Sequence, residues 1–391
     1  MIRACKFRIY PSKNQEVKLN RTLDTCRHLY NDSLAERKYQ AELNRVCSAF
    51  QVFPWGKPEW IDYYDQAEEL AESKTPQQKE VFSQVLQDAL RRLDKNFKNF
   101  YRGSGYPRFK GRNRYDSFTY PQMGFEIQDD KLKLSKIGSI RIILHREIEG
   151  IIKTCTIKKE VDQWYAVFTT DIEKIVEPIE VKKAIGIDVG LTSLLTLSTG
   201  EQIAPPHFLR RSEKKLAEEQ IRLSRKKRGS ENRKKQRIRV GRVHRKIRNQ
   251  RKDFVHKTSR TLVNTYDFIA FENLNIRGMI HNHHLAKSIC DAGWYQLQKL
   301  TAYKAEDAGK LVEFCIANGT SQECHVCGNV EHLTLADRVF RCSRCGYIED
   351  RDVNASINVL NRSTAGTAGR ACKSSPVRDT MKQEAIQHVG R

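Results

Sequence analysis

No run of apolar residues in this 391-residue chain approaches the ~18 needed to cross a bilayer, so a spanning helix is excluded. The opening MIRACKFRIYPSK lacks the apolar core of a secretory leader, and the expected compartment is therefore the cytoplasm, with no membrane partner. Acid is scarce: 47 Asp and Glu face 70 Lys and Arg, a net charge of +23. Such an imbalance points to a polyanionic partner, most often nucleic acid. Apolar residues make up only 39%, below the ~45–50% of an ordinary globular chain. The 16 Phe and 14 Tyr nevertheless supply enough core to rule against wholesale disorder. No internal repeat is visible, and the length suggests two or three domains at ~150 residues each.

Cysteine is not scarce, but its eleven copies are an odd number and only four stand at short spacing. Metal-bound thiolates and scattered free thiols in a reducing compartment fit this better than a disulfide framework.

The pattern of apolar residues divides the chain. Lys6–Ile9 alternates and stops at Pro11, as a first strand does. Leu19, Leu23, Cys26, Tyr30 and Leu34 then share one helical face. Thr75-Pro76-Gln77-Gln78 has the N-cap, first-turn proline and capping-box glutamine of a helix start. The helix it predicts carries Leu86, Leu90, Leu93, Phe97 and Phe100 and ends at Gly103. The stretch between, with Trp55 and Trp60, reads as loop.

From Leu132 to Phe168 the apolar period becomes two, in Leu132/Leu134, Ile140/Ile142, Cys155/Ile157 and Trp164/Ala166/Phe168. Antiparallel strands are expected, joined by the N-terminal strand into a small β-barrel that a helical segment interrupts. Further strands are expected at 184–189, 194–197, 268–271 and 311–315, and a helix through Trp294 and Leu300. Residues 210–252 hold 20 Lys and Arg against 4 Glu, which is +16 of the net charge within 43 residues. Val240, Val243, Ile247 and Phe254 keep helical spacing there, so this is helix with a basic outer face. Residues 364–391 lose periodicity and read as a disordered tail.

Two knuckles, Cys324-His325-Val326-Cys327-Gly328 and Cys342-Ser343-Arg344-Cys345-Gly346, place four thiolates for one structural Zn²⁺. Each trailing glycine permits the tight turn that aims amides at sulfur. Three acids form a second set. Asp188 lies in an apolar strand where Asp is disfavoured, Glu272 ends another, and Asp352 opens a helical pattern with Val353, Ile357 and Leu360. Meeting at one sheet edge, they would hold Mg²⁺, and two such ions ~4 Å apart activate water on a phosphodiester. Each acid alone also fits a plainer role: Asp352 a helix cap, Glu272 a solvated strand end, Asp188 a turn residue.

IGIDVG, FENL, SQECHVCG with CSRCG, and RDVNASINVL, in that order, resemble TnpB, the transposon-encoded RNA-guided nuclease family related to type V CRISPR effectors. RIYPSKNQ, RKDFVHK, CDAGW and MKQEA extend the likeness over nearly the whole chain. The resemblance implies an α/β multidomain protein: a split RuvC nuclease domain of RNase H-like fold with a zinc-ribbon insertion, plus a wedge β-barrel interrupted by a helical recognition domain. The boundaries expected are 1–13 and 112–180 for the wedge, 14–111 for recognition, 181–320 and 349–363 for the nuclease, and 321–348 for the zinc ribbon.

The same resemblance makes Asp188, Glu272 and Asp352 the catalytic carboxylates for two Mg²⁺. Its partners are a guide RNA from the transposon end and a double-stranded DNA target in a prokaryotic cytoplasm or nucleoid. Arg225, Lys226, Lys227, Arg228, Arg233, Lys234, Lys235 and Arg237 are candidates for phosphate contacts along the guide–target duplex. Ser83, Gln84, Gln87, Thr119 and Tyr120 are candidates for reading a short transposon-adjacent DNA motif. Ser356 departs from the alanine common in the family. An RNase H-like transposase, an RNA-guided repressor lacking nuclease activity, and a plain RNA-binding protein are the rival readings. The intact acids favour the enzyme.

Overall fold

The computed structural model describes residues 2–53, 57–173, 176–334 and 336–367. The expected tail from 368 onward, MKQEA within it, and Trp55 lie outside the described residues. The chain divides into two compact units at Lys174/Ile175.

The first unit opens with β1 (Ile2–Tyr10) and the 37-residue α1 (Lys13–Ala49), then α2 (Tyr63–Glu72), α3 (Pro76–Lys79) and α4 (Ser83–Tyr101). Six strands follow: β2 (Ser117–Tyr120), β3 (Phe125–Gln128), β4 (Lys131–Leu134), β5 (Gly138–Ile143), β6 (Ile151–Glu160) and β7 (Gln163–Asp171). They form one antiparallel sheet in the order β2-β6-β7-β1-β5-β4-β3, so β1 pairs on both sides although α1–α4 separate it from its neighbours in sequence. Edge strands β2 and β3 are consecutive, and Tyr120 meets Phe125 ring to ring at 6.5 Å, so the sheet curls around an interior holding Phe7, Phe118 and Phe168. No ladder joins β2 to β3 among the described residues; the expected barrel is curled but not closed by hydrogen bonds.

Two helical expectations need correction. The capping box of Thr75 and Gln78 forms, with Pro76 in the first turn, yet its helix ends after four residues. The chain bends there to bury Val81 and to stack Phe82 on Tyr120, and α4 starts afresh without a side-chain cap. The stretch read as loop contains α2, which has its own capping box from Asp62 and Asp65 but buries only Gln66 and Leu70.

Arg92 fastens α4 to β2. Its guanidinium donates to Asp88 Oδ2 at 2.8 Å, to Ser117 O at 2.7 Å and to Thr119 Oγ1 at 2.7 Å.

The second unit starts with β8 (Ala184–Asp188), β9 (Leu195–Leu197) and β10 (Gln202–Ile203). The basic stretch is a helical hairpin of α5 (Phe208–Ser224) and α6 (Glu231–Thr265). Then come β11 (Phe268–Asn273), α7 (Ile276–Ile280), α8 (His283–Ala292), α9 (Trp294–Asp307), β12 (Leu311–Ile316), the hairpin of β13 (Val339–Arg341) and β14 (Ile348–Asp350), and α10 (Arg351–Thr367). The helix runs four residues into the segment expected to be disordered. The main sheet has the order β10-β9-β8-β11-β12; β8, β11 and β12 are parallel, and β9 is antiparallel to both of its neighbours.

Both faces of this sheet are covered, which is why β11 reads as a near-continuous apolar run. Ile185, Ile187, Ile269 and Phe271 pack into the core that holds Val255, Leu262 and Leu297. Phe268 and Ala270 face the other way, against Val359 and Leu360 of α10.

Replacing Arg92 with Ala is expected to cost the first unit about 2–3 kcal/mol in denaturant unfolding, because three hydrogen bonds to one charged group are lost. Arg92→Lys should recover little of it, since an ammonium cannot reproduce the planar three-way contact.

Candidate active site

Strand parity assembles the acids. Side chains two apart share a face, so Asp188 points with Gly186 and Glu272 with Ala270, toward α10. The register pairs Ile187 with Phe271, and Asp188 and Glu272 follow as neighbours at the C-terminal ends of two parallel strands. That end of a parallel sheet is where α/β proteins place their ligands.

Gly186 lets α10 close on the sheet. A Cβ there would lie 2.0 Å from Ser356 O and 2.8 Å from Leu360 N, so only glycine fits. The Ser356 hydroxyl is buried and donates to Val353 O at 2.7 Å, which accommodates the departure from alanine. Asp352, in the first turn of that helix, lies near enough for its charge to act on both strand acids. It is not the cap of α10: Asp350 Oδ1 accepts the N–H of Asp352 at 2.8 Å and of Val353 at 3.2 Å. Glu272 is buried rather than solvated, and Asp188 is the last strand residue of β8 rather than part of a turn.

Burial pushes the Asp188 carboxyl well above the usual carboxylate range, and the Glu272 and Asp352 charges add to the rise against the pull of Arg351. Burial also raises Glu272, against the Thr320 hydroxyl, Arg362 and a hydrogen bond with Asp188. Asp188 and Glu272, with Asp352 in the first turn of α10, bring three hard oxygen donors to one end of the sheet, although among the described residues only the cysteine quartet is gathered tightly enough for a metal. Helix α9 steadies both strands: Trp294 Nε1 donates to Gly190 O at 3.2 Å and Gln298 Nε2 to Glu272 O at 3.1 Å.

The four knuckle cysteines bring their sulfurs within 4.8 Å of one another. Cys324 and Cys345 are 3.7 Å apart, Cys327 and Cys342 3.5 Å. A tetrahedron with Zn–S bonds of ~2.3 Å has edges of roughly 3.8 Å, so the quartet fits zinc. Gly328 and Gly346 adopt φ of 71° and 74°, and their N–H groups close the turns onto Cys324 O and Cys342 O. Amides of Cys345 and Arg344 draw the Cys342 thiol down to about 6, while burial and the neighbouring sulfurs push the Cys345 thiol up to about 12, so the crowded sulfurs differ widely in how readily they shed a proton. His325 contributes to neither metal set. Its ring contacts Asn354 Oδ1 at 3.2 Å and meets Tyr347 edge-on.

The other candidate residues separate. Arg225, Lys226, Lys227, Arg228, Lys234, Lys235 and Arg237 are exposed on the α5–α6 hairpin. Arg233 is not a free phosphate ligand: its Nη1 donates to Leu223 O and Lys226 O at 2.7 and 2.9 Å, capping the end of α5. Ser83 is exposed and accepts from Lys74 Nζ, Gln84 accepts from Met123 N, and Gln87 is half-buried. Thr119 and Tyr120 are corrections: both are buried in the first unit's core. Thr119 bonds Arg92 and Thr156, and Tyr120 donates to Ser135 O at 3.0 Å, leaving no polar group for a base edge. The sequence reading also missed Gly186 and Thr320. Strand parity with Asp188 signals the first; the second has no periodic signal.

Fold and site together define an α/β protein with acidic residues at the strand ends of a mixed sheet and a four-cysteine module that fits zinc. Residues 167–283 match the OrfB_IS605 family, described as "Probable transposase", and residues 294–359 match a "Cas12f1-like, TNB domain". Residues 1–45 match a model described as a "Helix-turn-helix domain", although here they form one strand and one unbroken helix. The chain is 31% identical over 390 residues to "Putative RNA-guided DNA endonuclease InsQ" of Escherichia coli (strain K12), covering 95% of this chain and 94% of that one. It is 34% identical over 383 residues to "Putative RNA-guided DNA endonuclease" of Streptomyces pristinaespiralis, covering 95% and 90%. Among solved structures it resembles a Cas12f1–sgRNA–target DNA complex, with 15% identity, a TM-score of 0.36, and coverage of 92% of this chain and 99% of that one. The chain belongs to the TnpB family.

Gly186→Ala is expected to force α10 off the sheet at a cost of about 1–3 kcal/mol, read by thermal unfolding. Elemental analysis should find one zinc per chain, and Cys342→Ser should abolish it.

Proposed function

We propose that this chain is an RNA-guided, Mg²⁺-dependent DNA endonuclease whose chemistry is carried by Asp188, Glu272 and Asp352. The observation that supports this most is the placement of Asp188 and Glu272 as neighbours toward the carboxyl ends of β8 and β11, with Asp352 in the first turn of α10 near enough for its charge to act on them. The strand order, with three parallel strands flanked by an antiparallel pair, suits an RNase H-like nuclease of the RuvC type. Relatives of matching length are named RNA-guided DNA endonucleases.

In this reading the three carboxylates would hold a pair of Mg²⁺ ions, whose chemistry would be to activate water and stabilise the leaving oxygen of the phosphodiester. Asp188, Glu272 and Asp352 orient and neutralise; none is a nucleophile, because water attacks phosphorus. Arg351 and Arg362 partly offset the burial that raises Asp188 and Glu272. The intact acids favour cleavage over a purely repressive role. The cysteine quartet holds a structural zinc.

The exposed cations of the α5–α6 hairpin contact the phosphates of a guide–target duplex, with Arg233 set aside as a helix cap. The curled sheet of the first unit acts as the wedge and α1–α4 as the recognition domain. They hold a guide RNA from the transposon end and a short transposon-adjacent motif on double-stranded DNA, with Ser83, Gln84 and Gln87 as remaining reader candidates.

Asp188→Ala should reduce cleavage of guide-matched DNA to background while RNA and target binding, measured by gel shift, survive; undiminished cleavage would reject the assignment. Lys226→Ala combined with Lys227→Ala should lower the salt slope of RNA binding by roughly 2. Arg233→Ala should instead lower the melting temperature and leave that slope unchanged.

A further inference from the structure

Glu272 is the one fully buried acid of the three, and what holds its carboxylate comes from outside its strand. Thr320, 3% exposed, places Oγ1 2.5 Å from Glu272 Oε1. The same hydroxyl also lies 3.1 Å from Ala317 O, but its single proton goes to the nearer acceptor, Glu272 Oε1.

Thr320 is itself fixed by the helix that carries Asp352. Asn358 Nδ2 donates to Thr320 O at 2.9 Å and to Glu323 O at 2.6 Å. Asn354 Nδ2 reaches Glu323 O at 2.8 Å, and Arg362 reaches Asn318 O at 2.7 Å and Glu323 Oε2. Residues 354, 358 and 362 are spaced i, i+4 and i+8, so one stripe of α10 grips the segment leading into the first zinc knuckle. The hydroxyl is thus set relative to Glu272 by the same element that sets Asp352.

We propose that Thr320 is a positioning residue: its hydroxyl fixes the orientation of the Glu272 carboxylate on the strand next to the one that carries Asp188, and so prepares the carboxylate set for a divalent cation. This rests on the nuclease reading, and the experiment separates the two. Partners that orient metal-ligating carboxylates typically contribute 10–100-fold in affinity. Mn²⁺ binding to the full-length zinc-loaded chain is measured by electron paramagnetic resonance for wild type, Thr320→Val, Thr320→Ser and Asp188→Ala. Thr320→Val should weaken Mn²⁺ binding about tenfold with zinc still at one per chain, and Thr320→Ser should restore it. In cleavage, the Mg²⁺ concentration for half-maximal rate should rise by a similar factor in Thr320→Val, while the rate at saturating Mg²⁺ falls less.

Mn²⁺ binding by Thr320→Val equal to wild type, with Asp188→Ala defective, overturns the positioning role and leaves the nuclease reading standing. Loss of zinc from Thr320→Val also overturns it, because the hydroxyl would then serve the knuckle segment instead. If Asp188→Ala binds Mn²⁺ like wild type, the carboxylate site itself is wrong.

Discussion

The close approach of α10 to β8 is the contact on which the rest of the second unit depends. Nothing larger than hydrogen fits at Gly186 beneath Ser356 and Leu360. Because the helix lies this near, its first turn reaches the strand ends, and its later turns reach the carbonyls that precede the zinc knuckle. One missing Cβ therefore governs two sites that look independent along the chain: the acids, and the clasp that α10 steadies.

Much of this was legible because periodicity and chemistry agreed. Asp188 stands in an apolar strand, Glu272 follows a run too apolar for a half-exposed strand, and both cysteine knuckles carry their turn glycines. The alternation from Leu132 to Phe168 correctly foretold strands, and the helical stripe around Ile247 foretold α6. What stayed hidden was tertiary. Asp350 and Asp352 are equally plausible caps in sequence, and only the amide geometry shows which one caps. Thr119 and Tyr120 look like polar readers until Arg92, 27 residues from Thr119, is seen to engage the threonine. Thr320 touches an acid 48 residues earlier, a distance no local pattern encodes. The short helix α2 escaped because two buried residues cannot make a stripe.

The excess of positive charge is also unevenly committed. On the α5–α6 hairpin most of the flagged cations face solvent, whereas Arg233 turns inward to satisfy carbonyls left open where α5 ends. A cation count alone overstates the surface available to phosphate. Arg362 is similarly turned toward the protein, its guanidinium spread over backbone oxygens and Glu323.

The order of the pieces along the chain has a consequence for biosynthesis. Two of the acids lie on strands made early, but the third belongs to the last described helix, beyond the whole cysteine module. A ribosome that has released residues up to the second knuckle holds a polypeptide that still lacks one acid of the proposed set. The acid set proposed for hydrolysis is complete only once α10 has emerged and packed on the sheet.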